Sequence, residues 1–427
     1  MQFYSTNNPS YKVNFEQAVF KSLPPDNGLF YPQILPRLDP DWIKNLNHLS
    51  KTEIGLMISS KFIGDEIPMP RLAQIVSETI DFDIPLVKIT DHISSLELYH
   101  GPTWAFKDVG ARFLSRCMAY FIEQSNREVT ILVATSGDTG GAVAAGFYNL
   151  PGIRVKILYP KGKVSDIQQR QLTTWGGNVS AYEVAGTFDD CQYLVKQAFL
   201  DQELSQELNL SSANSINIAR LIPQSFYYFY AMQQVDSNDQ VFCVPSGNYG
   251  NLTAGLWAWA MGLPIKKFIA ATNQNKVVPD YLTTGIYASK PSIQTYANAM
   301  DVGSPSNFVR MLELFKYHHS DMTKRLSGYY VGDDAILSTI KDCYEQFGYL
   351  LDPHGAIGYA ALSTLLAPGE HGIFLETAHP VKFLDVVNQA LGGAVDFQEK
   401  SKPLADKKET YQSIGIDFVE FKQVLKG

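Results

Sequence analysis

Residues 129–149 read VTILVATSGDTGGAVAAGFYN. The first seven residues form an apolar, β-branched run, which predicts a strand buried on both faces of a sheet. A glycine-rich turn, SGDTGG (136–141), follows this strand, and the small, apolar residues 142–149 predict a packed helix. Strand, turn and helix in this order form the unit from which parallel α/β sheets are built, so the stretch indicates an α/β fold.

The same alternation continues along the chain. Predicted strands at 155–159 and 179–184 each precede a predicted helix, near 164–175 and 188–200 respectively. Together with the first unit they make three strand–helix pairs, which we predict to form one lobe.

A second series of units begins at 240–245 (QVFCVP) and passes through the turn 246–251 into a helix. Further strand-like runs follow at 267–271 and 372–375. We therefore predict two open, mostly parallel α/β lobes. The segment before residue 81 is predicted to be mostly helical.

Composition excludes several classes of protein. With 45% hydrophobic and 18% charged residues over 427 positions, the chain is expected to be a soluble globular protein of two to three structural units. Its formal net charge is -8 and it has no long basic run, so we expect no nucleic-acid partner. The longest apolar stretch, near 252–265, is too short to span a bilayer, so no membrane segment is expected.

The cysteines predict neither a disulfide framework nor a metal site. They are far apart in sequence, and the chain contains neither a CxxC pair nor an HExxH motif. This usage favours a cytoplasmic location. The four are Cys117, Cys191, Cys243 and Cys343.

Three turns after predicted strands are candidate anion sites: SGDTGG (136–141), SGNYGN (246–251) and LETAHP (375–380). In a parallel sheet such turns gather at the carboxyl edge, where helix amino ends present free N–H groups. Alternatively, the glycines only permit tight turns. The sequence lacks GxGxxG, a P-loop and a GxSxG elbow, which disfavours a nucleoside triphosphatase and a serine hydrolase.

Lys107 lies in HGPTWAFKD (100–108), among apolar neighbours. Burial disfavours the charged form of a lysine and lowers its pKa, and the neutral amine is a Schiff-base nucleophile. The alternative is a lysine whose stem covers apolar surface and whose ammonium pairs with Asp108 or another acid.

HGPTWAFKD closely resembles the cofactor-lysine motif of threonine synthases, pyridoxal-phosphate enzymes of the fold type II (tryptophan synthase β-like) superfamily. Further stretches resemble this family in the same order along the whole chain. The start of the chain resembles the extra domain of the shorter threonine synthases, which need no S-adenosylmethionine activator. These stretches are YSTNNP (4–9), PDNGLFYP (25–32), ATSGDTGGA (134–142), SANSINIARLIPQSFYY (212–228), PSGNYGNLTAG (245–255) and ETAHPVKF (376–383).

The resemblance implies three domains. An amino-terminal domain would cover 1–80, and a small α/β lobe would cover 108–205. The large α/β cofactor domain would combine 81–107 with 206–427. The family pattern has Leu more often where Trp104 stands, a difference that changes bulk near the cofactor without removing a catalytic atom.

The resemblance also implies residue roles. Lys107 would carry pyridoxal 5'-phosphate covalently. Thr377 would meet the pyridine nitrogen through its hydroxyl; on sequence alone, a helix cap is the alternative for Thr377. The turn that would surround the cofactor phosphate consists of Gly247, Asn248, Tyr249, Gly250 and Asn251.

Two further groups would bind substrate. Asn214, Ser215 and Arg220 would hold a substrate phosphate, for which the planar guanidinium of Arg220 is suited. An ordinary salt link is the alternative for Arg220. The role of Asp138 stays open, because an ionised carboxylate facing the cofactor's phenolic oxygen would repel it. The residues expected around the substrate α-carboxylate are Thr135, Ser136, Gly137 and Thr139.

The implied activity is conversion of O-phospho-L-homoserine and water to L-threonine and phosphate, the last step of threonine biosynthesis. It combines a γ-elimination with β-addition of water. Two alternatives remain: another fold type II enzyme, similar to the serine or threonine dehydratases, and a non-catalytic metabolite-binding protein. No obligatory protein partner is evident from the sequence.

Overall fold

The structure is a computed structural model that describes residues 1–125, 127–235, 239–393, 395 and 397–426. Its strands form three sheets of three, six and five strands. No helix among these residues combines the length and the apolar character needed to cross a membrane.

Fourteen strands lie in the described part of the chain. They are β1 (Phe3–Ser5), β2 (Lys12–Val13), β3 (Phe30–Pro32), β4 (Leu86–Lys88), β5 (Ile93–Glu97), β6 (Val129–Ala134), β7 (Ile153–Pro160), β8 (Val179–Val184), β9 (Leu210–Ser211), β10 (Gln240–Pro245), β11 (Lys267–Thr272), β12 (Leu326–Tyr330), β13 (His371–Glu376) and β14 (Gln412–Ile414).

Helices connect and cover these strands. They are α1 (Phe15–Lys21), α2 (Pro40–Lys44), α3 (Lys51–Ile63), α4 (Met69–Thr79), α5 (Lys107–Ser125), α6 (Asp138–Phe147), α7 (Asp166–Thr173), α8 (Phe188–Leu200), α9 (Gln202–Glu207), α10 (Ile218–Leu221), α11 (Phe226–Gln233), α12 (Gly250–Ala260), α13 (Val277–Thr284), α14 (Phe308–Leu314), α15 (His319–Thr323), α16 (Asp333–Phe347), α17 (Pro353–Leu365), α18 (Leu384–Leu391), α19 (Gln398–Ala405) and α20 (Phe418–Lys426). Short 3-10 turns lie at Leu46–His48, Gly64–Glu66, Ile222–Ser225, Asn298–Met300 and Pro380–Phe383.

The five-stranded sheet forms the small lobe and has the order β14-β8-β7-β6-β9. All its pairings are parallel. Every residue of β6 is buried, so the strand predicted from 129–135 is confirmed. The helix predicted from residue 142 instead begins at Asp138, because the glycine-rich turn continues directly into helical backbone.

The six-stranded sheet forms the large lobe and has the order β12-β11-β10-β13-β5-β4. Only β4 runs antiparallel to its neighbour. The strand β10 lies inside this sheet and is buried along its whole length, as its unbroken apolar sequence predicts. Because β10 and β13 pair in parallel, their carboxyl ends lie at the same edge of the sheet.

The amino-terminal segment is helical only in part. Besides α1 to α4 it contains the antiparallel sheet β2-β1-β3, which was not predicted because strands of two or three residues are too short to show a period. The segment docks on helix α12 of the large lobe. There the ring of Trp257 stacks on Phe62 with centroids 5.7 Å apart, and Tyr31 meets it edge-on at 5.3 Å.

The end of the chain returns to the small lobe. Residues 206–427 were expected to belong to the large domain, but β9 pairs with β6, and β14 pairs with β8. Phe421 and Leu425 of the amphipathic helix α20 are buried in one apolar cluster with Leu194 of α8. This burial ties α20 to the small lobe, because apolar surface removed from water stabilises the contact.

Candidate active site

A cavity of about 980 Å³ lies between the two lobes, at the carboxyl ends of β6, β10 and β13, and the amino-terminal domain forms part of its rim. It is the place where the turns singled out in the sequence meet. The predicted site residues that line it are Lys107, Thr135, Ser136, Thr139, Asn214, Ser215, Arg220, Gly247, Asn248, Tyr249, Gly250, Asn251 and Thr377.

Backbone hydrogen bonds bring Lys107 to this cavity. The amide of Phe106 donates to the carbonyl of Thr377 over 2.9 Å, and the amide of His379 donates to the carbonyl of Trp104 over 3.0 Å. The loop before α5 is thereby fixed antiparallel to the loop after β13. Lys107 and Thr377, 270 positions apart in sequence, consequently face the same space.

Asp108 is already engaged and does not neutralise Lys107. Its two carboxylate oxygens accept hydrogen bonds from the Thr103 backbone amide over 2.9 Å and from the Thr103 hydroxyl over 2.6 Å. Among the described residues, no acidic side chain lies within ion-pair distance of the Lys107 ammonium. The alternative of a lysine paired with Asp108 is therefore wrong.

The surroundings of Lys107 favour its neutral amine. Burial lowers the pKa of Lys107 to about 8, helped by the positive charge of Arg220 and then of Lys382, while Asp138 opposes the shift. The amine lies 4.3 Å from the centroid of the Phe106 ring. A lysine of this kind is nucleophilic near neutral pH.

The turn 247–251 presents unused hydrogen-bond donors. Among the described residues, none of its five backbone amides donates to another protein group. Only glycine fits at position 247 without a clash, because a Cβ on Gly247 would lie 2.4 Å from the carbonyl oxygen of Ala299. Tyr249 adopts φ of +59° at the start of α12. Bare amides at a helix start form an anion site.

The two asparagine side chains of this turn have structural partners. The amide nitrogen of Asn251 donates to the Pro245 carbonyl over 2.7 Å, and its oxygen accepts from Ser246. The side-chain oxygen of Asn248 accepts from the backbone amide of Ser306 over 3.2 Å. Asn251 therefore shapes the turn, and the turn's backbone supplies the anion donors.

Thr377 does not cap the following helical turn. The capping group is His379, whose Nδ1 accepts the Val381 amide over 3.0 Å. Within the described part of the chain the Thr377 hydroxyl makes no hydrogen bond, and it lines the cavity. It is thus free to meet a ring nitrogen of a ligand.

The turn after β6 is organised by a threonine. The Thr135 hydroxyl accepts the amides of Gly137 over 3.0 Å and of Gly140 over 2.8 Å, while Ser136 and Thr139 face the cavity. Gly137 itself does not line the cavity. Its φ is +131°, and a Cβ there would lie 2.4 Å from the Gln168 side chain, so it contributes through its backbone.

Asp138, whose role the sequence left open, forms a buried ion pair with Lys382. Its Oδ1 lies 2.8 Å from the Nζ of Lys382 and accepts from Gln168 over 3.0 Å. Although burial opposes it, Lys382 holds the pKa of Asp138 below its usual value. Lys382 is fully buried and also donates to the carbonyl of Thr103. The pair thus brings a compensated charge to the cavity wall.

Arg220 is a buried cation with unused donors. It is 2% exposed, its Nη1 donates to the Ala213 carbonyl over 2.6 Å, and its Nε has no hydrogen-bond partner. No carboxylate in the described residues forms an ion pair with it. The alternative of an ordinary salt link is therefore wrong, and the unpaired charge faces the cavity, where an anion would stabilise it.

His354, a histidine for which the sequence predicts a structural role, also lines the cavity. The Nδ1–H of His354 donates to Asp352 over 2.5 Å, and its Nε2 accepts the Ala299 amide over 3.3 Å, so both ring nitrogens are occupied. Lys382 was not predicted as a site residue. It lies within ETAHPVKF, but that pattern does not show which acidic residue pairs with it. Among the described residues, no cluster of three or more potential ligands is arranged to hold a metal ion.

We predict that Asp138 and Lys382 act as one unit in stability. Lys382→Met leaves a carboxylate buried without its cation, and should lower the free energy of unfolding by about 3–5 kcal/mol. The double variant Lys382→Met/Asp138→Asn should recover most of that loss, because neither partner is then charged. Urea unfolding of the single and double variants measures this.

The matched control for this prediction is Lys44→Met, which breaks the solvent-exposed pair with Asp41. Its unfolding curve should superimpose on that of the unaltered protein, since exposed pairs contribute little. A double variant as unstable as Lys382→Met alone would contradict the coupling.

Comparisons with known proteins agree with this geometry. Residues 94–372 match the family of pyridoxal-phosphate dependent enzymes, residues 2–80 match the threonine synthase N terminus, and residues 355–425 match the threonine synthase C-terminal family. The chain is 42% identical to the threonine synthase of Escherichia coli (strain K12) over 428 residues, which cover 100% of this chain and 99% of the relative.

Two further relatives give the same result. The threonine synthase of Haemophilus influenzae is 46% identical over 395 residues, 92% of each chain. The crystal structure of PLP-bound threonine synthase from Brucella melitensis superimposes with a TM-score of 0.93 at 35% identity, covering 100% of this chain and 99% of that one. The protein has the pyridoxal-phosphate fold type II and belongs to the threonine synthase family.

Proposed function

We propose that the protein converts O-phospho-L-homoserine and water into L-threonine and inorganic phosphate, the last step of threonine biosynthesis. The observation that carries this proposal is Arg220, a buried cation that has no carboxylate partner among the described residues and lines the same cavity as Lys107. A substrate with a phosphate would supply the missing negative charge. Family membership supports the same reaction.

The residues of the cavity fit pyridoxal phosphate. Lys107 offers an amine whose lowered pKa suits covalent attachment. The bare amides of 247–251 suit the cofactor phosphate, and the free hydroxyl of Thr377 suits the pyridine nitrogen. Once bound, the cofactor supplies an electron sink for negative charge that develops on substrate carbons.

Lys107 carries the proton transfers in this proposal. Lys107 would hold the cofactor, and its amine, when not engaged in that attachment, would act as a general base toward a substrate in the same cavity. Lys107 removes a proton from the α carbon and then one from the β carbon of the substrate. The bond between the γ carbon and the phosphate oxygen breaks, and phosphate leaves with the bonding electrons.

The remaining steps restore the atom balance. A proton returns to the γ carbon, which becomes the methyl group of threonine. Water then adds its hydroxyl to the β carbon, its remaining proton goes to the released phosphate, and a proton returns to the α carbon. In this scheme Ser136 and Thr139 bind the α-carboxylate, and Asn214, Ser215 and Arg220 hold the phosphate, so both ends of the substrate are fixed relative to Lys107.

We also infer that the reaction takes place in the cytoplasm and involves a small molecule without an obligatory protein partner. All four cysteines are buried and free of disulfides. Such thiols fit a reducing compartment.

The first test measures products. The purified, cofactor-loaded protein should release L-threonine and inorganic phosphate from O-phospho-L-homoserine in equal amounts, and Lys107→Ala should release neither, because it lacks the base and the attachment point. Both products are quantified in the same sample. Phosphate with 2-oxobutanoate in place of threonine would indicate a dehydratase-like lyase, and no turnover with full cofactor occupancy would favour a metabolite-binding protein.

Arg220 is predicted to contribute more to binding of the substrate than to binding of the cofactor. Arg220→Ala should lower kcat/KM for O-phospho-L-homoserine by about 100-fold, since two charge-assisted hydrogen bonds are lost. The affinity for pyridoxal phosphate, measured by absorbance titration, should change little. Arg220→Lys, which keeps the charge and loses the planar fork, should fall between. An equal loss of substrate and cofactor affinity would refute the assignment.

Cofactor uptake should report the pKa of Lys107. Raising the pH deprotonates the amine, so with a pKa of about 8 the uptake rate in cofactor-free protein should rise steeply up to that pH and level off above it. The rate at pH 9 should be about ten times that at pH 7. Arg220→Gln should move this profile to higher pH, because a neighbouring cation is removed. A rate that still climbs at pH 10 would show an ordinary lysine.

A further inference from the structure

Ser22 has an unusual backbone for a buried serine. It ends helix α1 with φ of +59° and ψ of -45°, and it is 1% exposed. Residues other than glycine are strained at this positive φ, and such strain persists where the surrounding structure requires it. Glycine would adopt this backbone without strain, so we expect the Ser22 hydroxyl to have a role that glycine could not supply.

The Ser22 hydroxyl holds the segment that carries the substrate-phosphate residues. It accepts the backbone amide of Ser212 over 2.9 Å and the side-chain amide of Asn217 over 3.2 Å. It also lies 3.0 Å from the Ser212 carbonyl and 2.9 Å from the Ser211 hydroxyl, either of which can accept its single proton. All these partners come from 211–217.

Asn217 extends this connection to Arg220. Its side-chain amide also donates to the carbonyl of Val19 in α1 over 2.9 Å. Its side-chain oxygen accepts the Ala219 amide and so caps α10, the short helix that contains Arg220. The end of α1 is thus linked through Asn217 to the helix that presents the unpaired guanidinium.

A side chain of the large lobe, Arg310 of α14, bridges the amino-terminal domain and the same segment. Arg310 is fully buried, and its Nε donates to the carbonyl of Phe30 in β3 over 3.0 Å. Its Nη2 donates to the carbonyl of Ile216 over 2.7 Å. The segment 211–217 is therefore tied to the amino-terminal domain at both Ser22 and Phe30.

The side chains between these two contacts line the cavity. Asn214 and Ser215 line the cavity with Arg220, and Ser22 and Ser212 lie at the same wall. The carbonyl of Ser215 accepts from Asn307 over 3.3 Å, which fixes its backbone while its hydroxyl stays on the cavity side. The geometry of these donors consequently depends on the amino-terminal domain.

We propose that Ser22 is a positioning residue for the substrate phosphate, through which the amino-terminal domain holds Asn214, Ser215 and Arg220 in register with one anion. This inference rests on the proposed function. Ser22 is not one of the proposed phosphate ligands. Its hydroxyl acts through Ser212 and Asn217.

The test compares Ser22→Gly with Ser22→Ala in the cofactor-loaded protein. Glycine relieves the backbone strain and removes the hydroxyl, so Ser22→Gly separates folding from positioning. We expect KM for O-phospho-L-homoserine to rise by about tenfold in both variants, as for the loss of a buried hydrogen bond. We expect kcat and the affinity for pyridoxal phosphate to change less than about twofold.

The matched control is Ser59→Ala in α3. Ser59 is a fully buried serine of the same domain whose hydroxyl donates to the Gly55 carbonyl over 2.6 Å and has no link to 211–217. Its KM should stay at the value of the unaltered protein. A Ser22→Gly variant with unchanged KM, or with equal losses in cofactor affinity and KM, would overturn the proposal.

A second measurement keeps this inference separate from the assigned reaction. Inorganic phosphate binding to the cofactor-loaded protein is followed by calorimetry, which needs no turnover. Ser22→Gly should weaken phosphate binding by the same factor of about ten. If the unaltered protein bound phosphate but made no threonine, the proposed function would fail while Ser22 could still be tested. Unchanged phosphate affinity in Ser22→Gly would refute the positioning role.

Discussion

Two backbone hydrogen bonds, from Phe106 to Thr377 and from His379 to Trp104, determine where the chemistry of this fold can take place. They join a loop before a long helix to a loop after a central strand, and so place Lys107 at the edge where the strands β10 and β13 end. Backbone groups buried in this region must be paired, so the contact is specified independently of the side chains. The turns of both lobes then face one lysine.

Charge is the second constraint. Arg220 is an enclosed cation without a carboxylate partner in the described residues, while Lys382 is balanced by Asp138. Burying an unpaired charge is costly, and the cost is recovered when an anion binds. An anionic group that entered the cavity beside Arg220 would therefore be stabilised. The ion pair with Lys382 also means that the carboxylate of Asp138 is not an isolated negative charge at the cavity wall.

Local patterns predicted the elements with strong sequence signals. The strands β6 and β10 are unbroken apolar runs, and helix α8 lies at Phe188–Leu200 as predicted. The three-residue strands at the chain start carry no period, and the pairing of β14 with β8 joins residues more than 220 positions apart. Neither can be read from neighbouring residues. Arg220 was predicted to bind a substrate phosphate, but only the fold shows that no acidic side chain among the described residues pairs with it.

The sequence by itself determined the α/β class, the positions of the glycine-rich turns and the lysine among apolar neighbours, because each depends on residues close together in the chain. Only the tertiary structure decided that Lys382 meets Asp138, that Thr377 is free, and that Ser22 supports the segment before Arg220. These are contacts between distant segments, set by how the lobes and the amino-terminal domain pack. The local sequence indicates backbone preference and burial, but it does not show which distant residue a side chain will contact.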